Sequence, residues 1–77
     1  MLVVDTFSTH DLWLASFMRS RGMRLVRTTR TANRVTFEFE DKEGCEQLEI
    51  EYLNGGKADV SALKMAWNHL KTLIFDR

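Results

Sequence analysis

Few side chains in this sequence have the types needed for chemistry. His10 and His69 are the two histidines, and Cys45 is the one cysteine. A thiolate beside an imidazole is a competent nucleophile, so Cys45 with either histidine is the one pairing with catalytic potential. The spacing argues against it. Cys45 falls at an apolar helix position, where a lone cysteine is usually a small core residue. His10 sits beside a helix start and His69 borders the polar face of the last helix. Neither belongs to an i, i+4 histidine pair or a His-Glu-x-x-His motif. One cysteine also rules out an internal disulfide and cannot form a metal cluster alone. Asn54-Gly55-Gly56-Lys57 has glycines and a lysine, but not the Gly-x-x-x-x-Gly-Lys-Ser/Thr spacing of a phosphate loop. It also leaves a helix rather than entering one after a strand, so it reads as a helix end and hinge. The expectation is a protein that is not an enzyme, with no catalytic residue, no cofactor and no metal.

Binding chemistry has two leads. Residues 19 to 34 carry six arginines and no acid, while residues 38 to 51 carry seven acids and one lysine. Arg24, Arg30 and Arg34, with Thr28, Thr29, Thr31 and Asn33 beside them, are side chains of the kind that contact phosphates. The competing reading is internal neutralisation. Arg24 is expected across a hairpin from Glu40, and exposed pairs of this kind contribute about 0.2–1 kcal/mol. A formal net charge of zero also opposes strong nonspecific binding to nucleic acid. The strand Arg34-Val-Thr-Phe-Glu-Phe has a faint likeness to an RNA-recognition strand. It lacks the glycines, and both phenylalanines are expected to point inward. The second lead is apolar. Leu12, Ile50 and Met65 each land on a polar helix face, and Trp13 and Trp67 are large for so small a core. Neighbouring misfits would form a patch for a partner protein or a second copy. Isolated exposed apolar residues are ordinary.

The elements that position these residues follow from periodicity. In Arg34 to Asp41, Val35, Phe37 and Phe39 alternate with Thr36, Glu38 and Glu40, which is a strand with one buried and one wet face. Met23 to Arg30 pairs with it through a turn at Thr31-Ala32-Asn33, with Asn tolerating the positive φ of such a loop. A three-residue loop sets Leu25 opposite Phe39, Arg27 opposite Phe37 and Thr29 opposite Val35. It also sets Arg30 opposite Arg34. Arg27 is then a charged misfit on the inner face, which either snorkels to the edge or shows the register to be off by one. Residues 2 to 7 either add a third strand or run extended.

Ser8-Thr9-His10-Asp11 starts a helix that runs to about Arg21, with Gly22 as its left-handed cap. Trp13, Leu14, Ala15, Phe17 and Met18 cover its apolar arc, opposite Ser16, Arg19 and Ser20. Residues 42 to 53 fit helix and strand spacing alike. Asp41 as a cap and Asn54-Gly55-Gly56 as an end favour the helix. Asp59 or Ser61 caps a final helix to about Ile74. Ala62, Leu63, Ala66, Trp67, Leu70, Leu73 and Ile74 share its apolar face.

A chain of 77 residues, 44% apolar and 29% charged, is one ordinary globular domain spanning 1 to 77. No apolar run reaches the ~20 residues that span a bilayer, and the N-terminus has no basic, then apolar signal pattern. A reducing cytoplasm is the expected home for one unpaired cysteine.

Several motifs together resemble a known family. In order they are Thr9-x-Asp11-Leu12-x-Leu14-Ala15, Gly22, Arg34-Val35-Thr36-Phe37-x-Phe39-Glu40-Asp41, Tyr52-Leu53-Asn54-Gly55, and a closing helix with Leu70-Lys71. Over roughly residues 7 to 74 the chain resembles a family of short bacterial and phage domains of unknown function. The resemblance implies a prokaryotic or phage cytosolic origin and a helix, hairpin, helix, helix order. It brings no activity, cofactor or catalytic residue. The expected fold is α+β, an antiparallel hairpin with a candidate third N-terminal strand, covered on one face by about three helices. The leading functional expectation is a protein-interaction or self-association module without membrane attachment. The alternative is a nucleic-acid accessory protein using the hairpin arginines.

Overall fold

The computed structural model describes residues 5–75. Its order is β1 (Thr6–Thr9), α1 (Leu12–Ser20), β2 (Leu25–Thr31), β3 (Arg34–Glu40), α2 (Lys42–Leu53) and α3 (Val60–Phe75). The expected α+β class and element order hold. The three strands form one antiparallel sheet in the order β1-β3-β2. The strand with the clearest alternation is therefore the central one. Phe37 and Phe39 are buried beneath the helices, while Thr36, Glu38 and Glu40 on the other face are half-buried.

The third strand is real but displaced. Residues 2 to 4 of the expected segment lie outside the described residues. Thr6 to Thr9 pair with Glu40 to Phe37. Ser8 and Thr9 thus belong to a strand, and Asp11 alone caps α1, its carboxylate accepting from the N–H groups of Trp13 and Leu14. The helix closes as expected at Gly22, whose φ of +91° lets two N–H groups fold back. Gly22 donates to Arg19 and Met23 to Met18, capping the last carbonyls.

The hairpin departs from the three-residue loop. Thr31 pairs with Arg34, leaving Ala32 and Asn33 as a two-residue turn. Ala32, not Asn33, takes the positive φ, at +53°. The register is shifted by one from Thr31 to Arg27 and recovers at a bulge between Arg27 and Leu25, so that Leu25 still faces Phe39. One slipped residue moves side chains to the opposite face. Arg27 consequently leaves the inner face and lies across from Glu38, with Nε 3.3 Å from its carboxylate.

Helix α1 departs from a single apolar arc. Leu14, Ala15, Ser16, Phe17 and Met18 are all buried. Five consecutive buried residues exceed one turn, so the helix is covered nearly all round by α2, α3 and β1. Ser16 is buried rather than wet because its hydroxyl turns back to the Leu12 carbonyl at 2.7 Å. Leu12, expected on the polar side, packs half-buried against the core. Trp13, placed by periodicity on the apolar arc, is 53% exposed.

Helix α2 is capped by Asp41, whose carboxylate accepts from Gly44. The carboxylate lies where a Cβ at Gly44 would be, so this cap requires glycine there. At the other end Gly56 donates to the Glu51 carbonyl at 2.8 Å. Helix α3 is capped by Asp59, which accepts from Ala62 at 2.8 Å. Its Leu70 is fully buried in the cluster with Met18, Phe37, Phe39 and Cys45. Leu73, expected on the apolar face, is exposed. Each fully buried large side chain contributes about 1.5–3 kcal/mol.

Candidate protein-interaction surface

The arginines do not gather at the hairpin tip. Arg30 pairs in register with Val35 and Arg34 with Thr31, so they project from opposite faces of the sheet. On the helix-covered face, Arg30 donates to the Ile74 carbonyl at the end of α3. A guanidinium there satisfies a terminal carbonyl and complements the helix dipole. Arg21 bridges Glu51 and the Lys57 carbonyl, and its guanidinium lies 4.8 Å from the Phe17 ring centroid. Glu38 accepts from Thr6 Oγ1 at 2.7 Å and faces Arg27. The slipped register gives Glu38 an ion-pair partner in Arg27. Past the bulge Arg24 lies across from Glu40 as expected, the Glu40 N–H donating to the Arg24 carbonyl at 3.0 Å, but the two side chains form no ion pair among the described residues. Three of the six arginines are committed to internal contacts, and Arg24 and Arg34 remain exposed. Near Arg34, His10 Nδ1 lies 3.1 Å from Thr36 Oγ1, beside an open dish formed with the hairpin turn.

Cys45 is fully buried, and its thiol points at the Glu40 carbonyl, 3.4 Å away. Burial, with the Asp41 charge adding, pushes the thiol up to about 11. A thiol held neutral this way is a poor nucleophile at neutral pH. Gly55 and Gly56 close α2, as their N–H groups donate to Tyr52 and Glu51. Among the described residues no three His, Cys, Asp or Glu side chains are grouped as metal ligands. Nor is any helix there long and apolar enough to cross a membrane.

The three apolar misfits do not form one patch. Leu12 packs half-buried against the core. Ile50 is 62% exposed on α2, where Leu53 joins it at 74%. Met65 lies in a shallow groove between α1 and α3 with Arg19, Ser20 and His69.

A more cohesive apolar surface lies elsewhere, where α1 begins against α3. Trp13 stacks on Trp67 with ring centroids 5.5 Å apart and planes 20° from parallel. The pair, Val60, Leu63 and Lys64 line an apolar depression of about 180 Å³. Val60 is 78% exposed. Lys71 Nζ sits 4.5 Å from the Trp67 ring centroid. An ammonium over an indole is held by the negative face of the ring, and it places a cation at the rim of the depression. The indole N–H of Trp67 is buried with no acceptor among the described residues.

This surface is built by the caps. Asp11 starts α1 two residues before Trp13, and Asp59 starts α3 one residue before Val60. Both tryptophans are large for so small a core, and periodicity places each on the apolar arc of its own helix. An arc drawn on one helix cannot show that two large rings stack on each other at its edge. Val60, at the first turn of α3, gave no periodic signal at all.

Comparison with curated proteins finds no match, and neither does comparison with solved structures. Residues 4–73 match the model of a family described as a domain of unknown function (DUF5659), and the chain belongs to that family.

Proposed function

We propose that this domain is a non-enzymatic protein-interaction module of a bacterial or phage cytosol, and that it works through the Trp13–Trp67 surface. The observation that carries this reading is the stacked, solvent-facing tryptophan pair beside Val60 and Leu63. Protein interfaces are enriched in aromatic side chains at their centres and polar groups at their rims. Lys64 and Lys71 supply such a rim. The buried unreactive thiol fits a binding role and a reducing compartment.

The test is site-specific photocrosslinking in the producing cell. A crosslinker at Val60 is expected to give a discrete protein adduct, and one at Thr29 on the far face of the sheet is not. An adduct from Thr29 with none from Val60 would overturn the assignment.

The runner-up is nucleic-acid binding, which rests on the exposed Arg24 and Arg34. Binding through phosphates weakens steeply with salt, whereas an apolar interface does not.

A further inference from the structure

Two exposed helical stripes of this chain complement each other. On α3, Val60, Lys64, Trp67 and Lys71 follow one another at i, i+4, i+7 and i+11, which places them along one side. Helix α3 contains no Asp or Glu. On α2, Glu46, Ile50 and Leu53 follow at i, i+4 and i+7, with Glu49 beside them. Ile50 and Leu53 are 62% and 74% exposed, so the chain's own helices leave this stripe open. Neither Glu46, Glu49, Lys64 nor Lys71 is in an ion pair among the described residues. One stripe is apolar and cationic, the other apolar and anionic.

We propose that the Trp13–Trp67 surface is occupied by helix α2 of a second copy of this chain. The inference rests on the interaction reading above and names its partner. Ile50 seats over the tryptophan pair. The helices run antiparallel, because only then does each end find its complement. Glu46 lies four residues before Ile50 and Lys71 four residues after Trp67, each about 6 Å along its axis. The antiparallel arrangement brings these charges together. It also sends Leu53, three residues beyond Ile50, toward Leu63 and Val60. A parallel arrangement would set Leu53 against Lys71 and leave Val60 without an apolar neighbour. The donor and acceptor stripes are different surfaces, so one contact leaves an unused stripe on each molecule. The contact either closes reciprocally into a two-fold dimer or repeats head to tail.

Sedimentation velocity from micromolar to millimolar chain tests the proposal. The wild-type protein is expected to rise from the mass of one chain to that of two or more. Glu46→Lys/Glu49→Lys is expected to stay monomeric, as is Lys64→Glu/Lys71→Glu. All four residues are exposed or half-buried, and circular dichroism checks that each variant is folded. Mixing the two variants restores a matched pair of stripes and is expected to restore association. A wild-type chain monomeric throughout the range would overturn the proposal, as would charge variants that associate like wild type. The crosslinking at Val60 separates the two readings. A monomeric chain with a Val60 adduct to a different protein removes the second copy and leaves the interaction module standing. A monomeric chain with no Val60 adduct removes both.

Discussion

The sheet's far face and the tryptophan edge are both exposed, yet they spend their side chains differently. On the sheet, Glu38 is satisfied by Thr6 and Arg27 within the chain. At the helical edge, the rings of Trp13 and Trp67 satisfy each other on one side only. Val60 is left 78% exposed, and the lysines there have no carboxylate partner among the described residues. The charge-rich region drew attention in the sequence, but much of its charge is consumed by folding. The apolar edge, whose tryptophans periodicity places on the apolar arcs of two helices, is what remains unspent. Density of charge in a sequence is thus a weaker guide to a binding surface than what stays unpartnered after folding.

Both surfaces depend on the same thin core, and the largest effect should come from breaking it. Phe37 is 1% exposed at the centre of β3. Phe37→Asp puts an unpaired charge there, at a cost comparable to the roughly 4–12 kcal/mol that a chain of this size has in total. The expected outcome is an unfolded chain by circular dichroism with neither surface intact. A Phe37→Asp variant that melts like wild type would mean the assignment of faces is wrong.

Trp67→Ala should separate the surfaces. It removes the half-buried partner of Trp13, with an expected loss of about 2–3 kcal/mol by urea unfolding, below the full cost of a buried aromatic. Binding at the helical edge should be lost while the ion pair of Glu38 with Arg27 is kept. A loss below about 0.5 kcal/mol would show that the stack contributes nothing to the fold.

Alkaline pH probes the core beneath both surfaces. The Cys45 thiol has an ordinary value of 9.0 and is raised to about 11 by burial and by Asp41. Tyr52 is also raised, by burial first and the Asp11 charge second. A raised acid binds its proton more tightly in the folded state, so stability falls as pH rises through the interval between the unfolded and folded values. For Cys45, stability should be insensitive below pH 9 and decline from there to about 11. In Cys45→Ala the part of this decline due to the thiol should vanish, and the Tyr52 part should remain. An unchanged alkaline profile in that variant would rule out the thiol's contribution.

The boundaries of the fold were legible because capping is local chemistry. Asp41, Gly22 and Asp59 each act on N–H or C=O groups within a few residues, so their types suffice to place a helix end. The inner face of β3 was legible for the same reason, since a period of two needs no partner. What could not be read was relational. The burial of Ser16 depends on how many neighbours cover α1. The face of Arg30 depends on a register set by a bulge at Val26, which no local preference announces. The tryptophan edge depends on two helices meeting.

The hairpin turn gives the smallest effect and the finest test of that register. A two-residue turn with φ of +53° at Ala32 places an L side chain where glycine is at ease. Ala32→Gly should therefore stabilise the chain by about 0.5–1 kcal/mol, the relieved strain being partly offset by a more flexible unfolded chain. The three-residue loop would instead centre the turn on Thr31-Ala32-Asn33 and bring Arg30 opposite Arg34. In that geometry Asn33 supplies the left-handed residue, and glycine at position 32 should destabilise. The sign of one urea-unfolding difference thus decides which register the hairpin adopts. It also decides whether Arg30 lies beneath α3, bound to the Ile74 carbonyl, or beside Arg34 as half of an anion site.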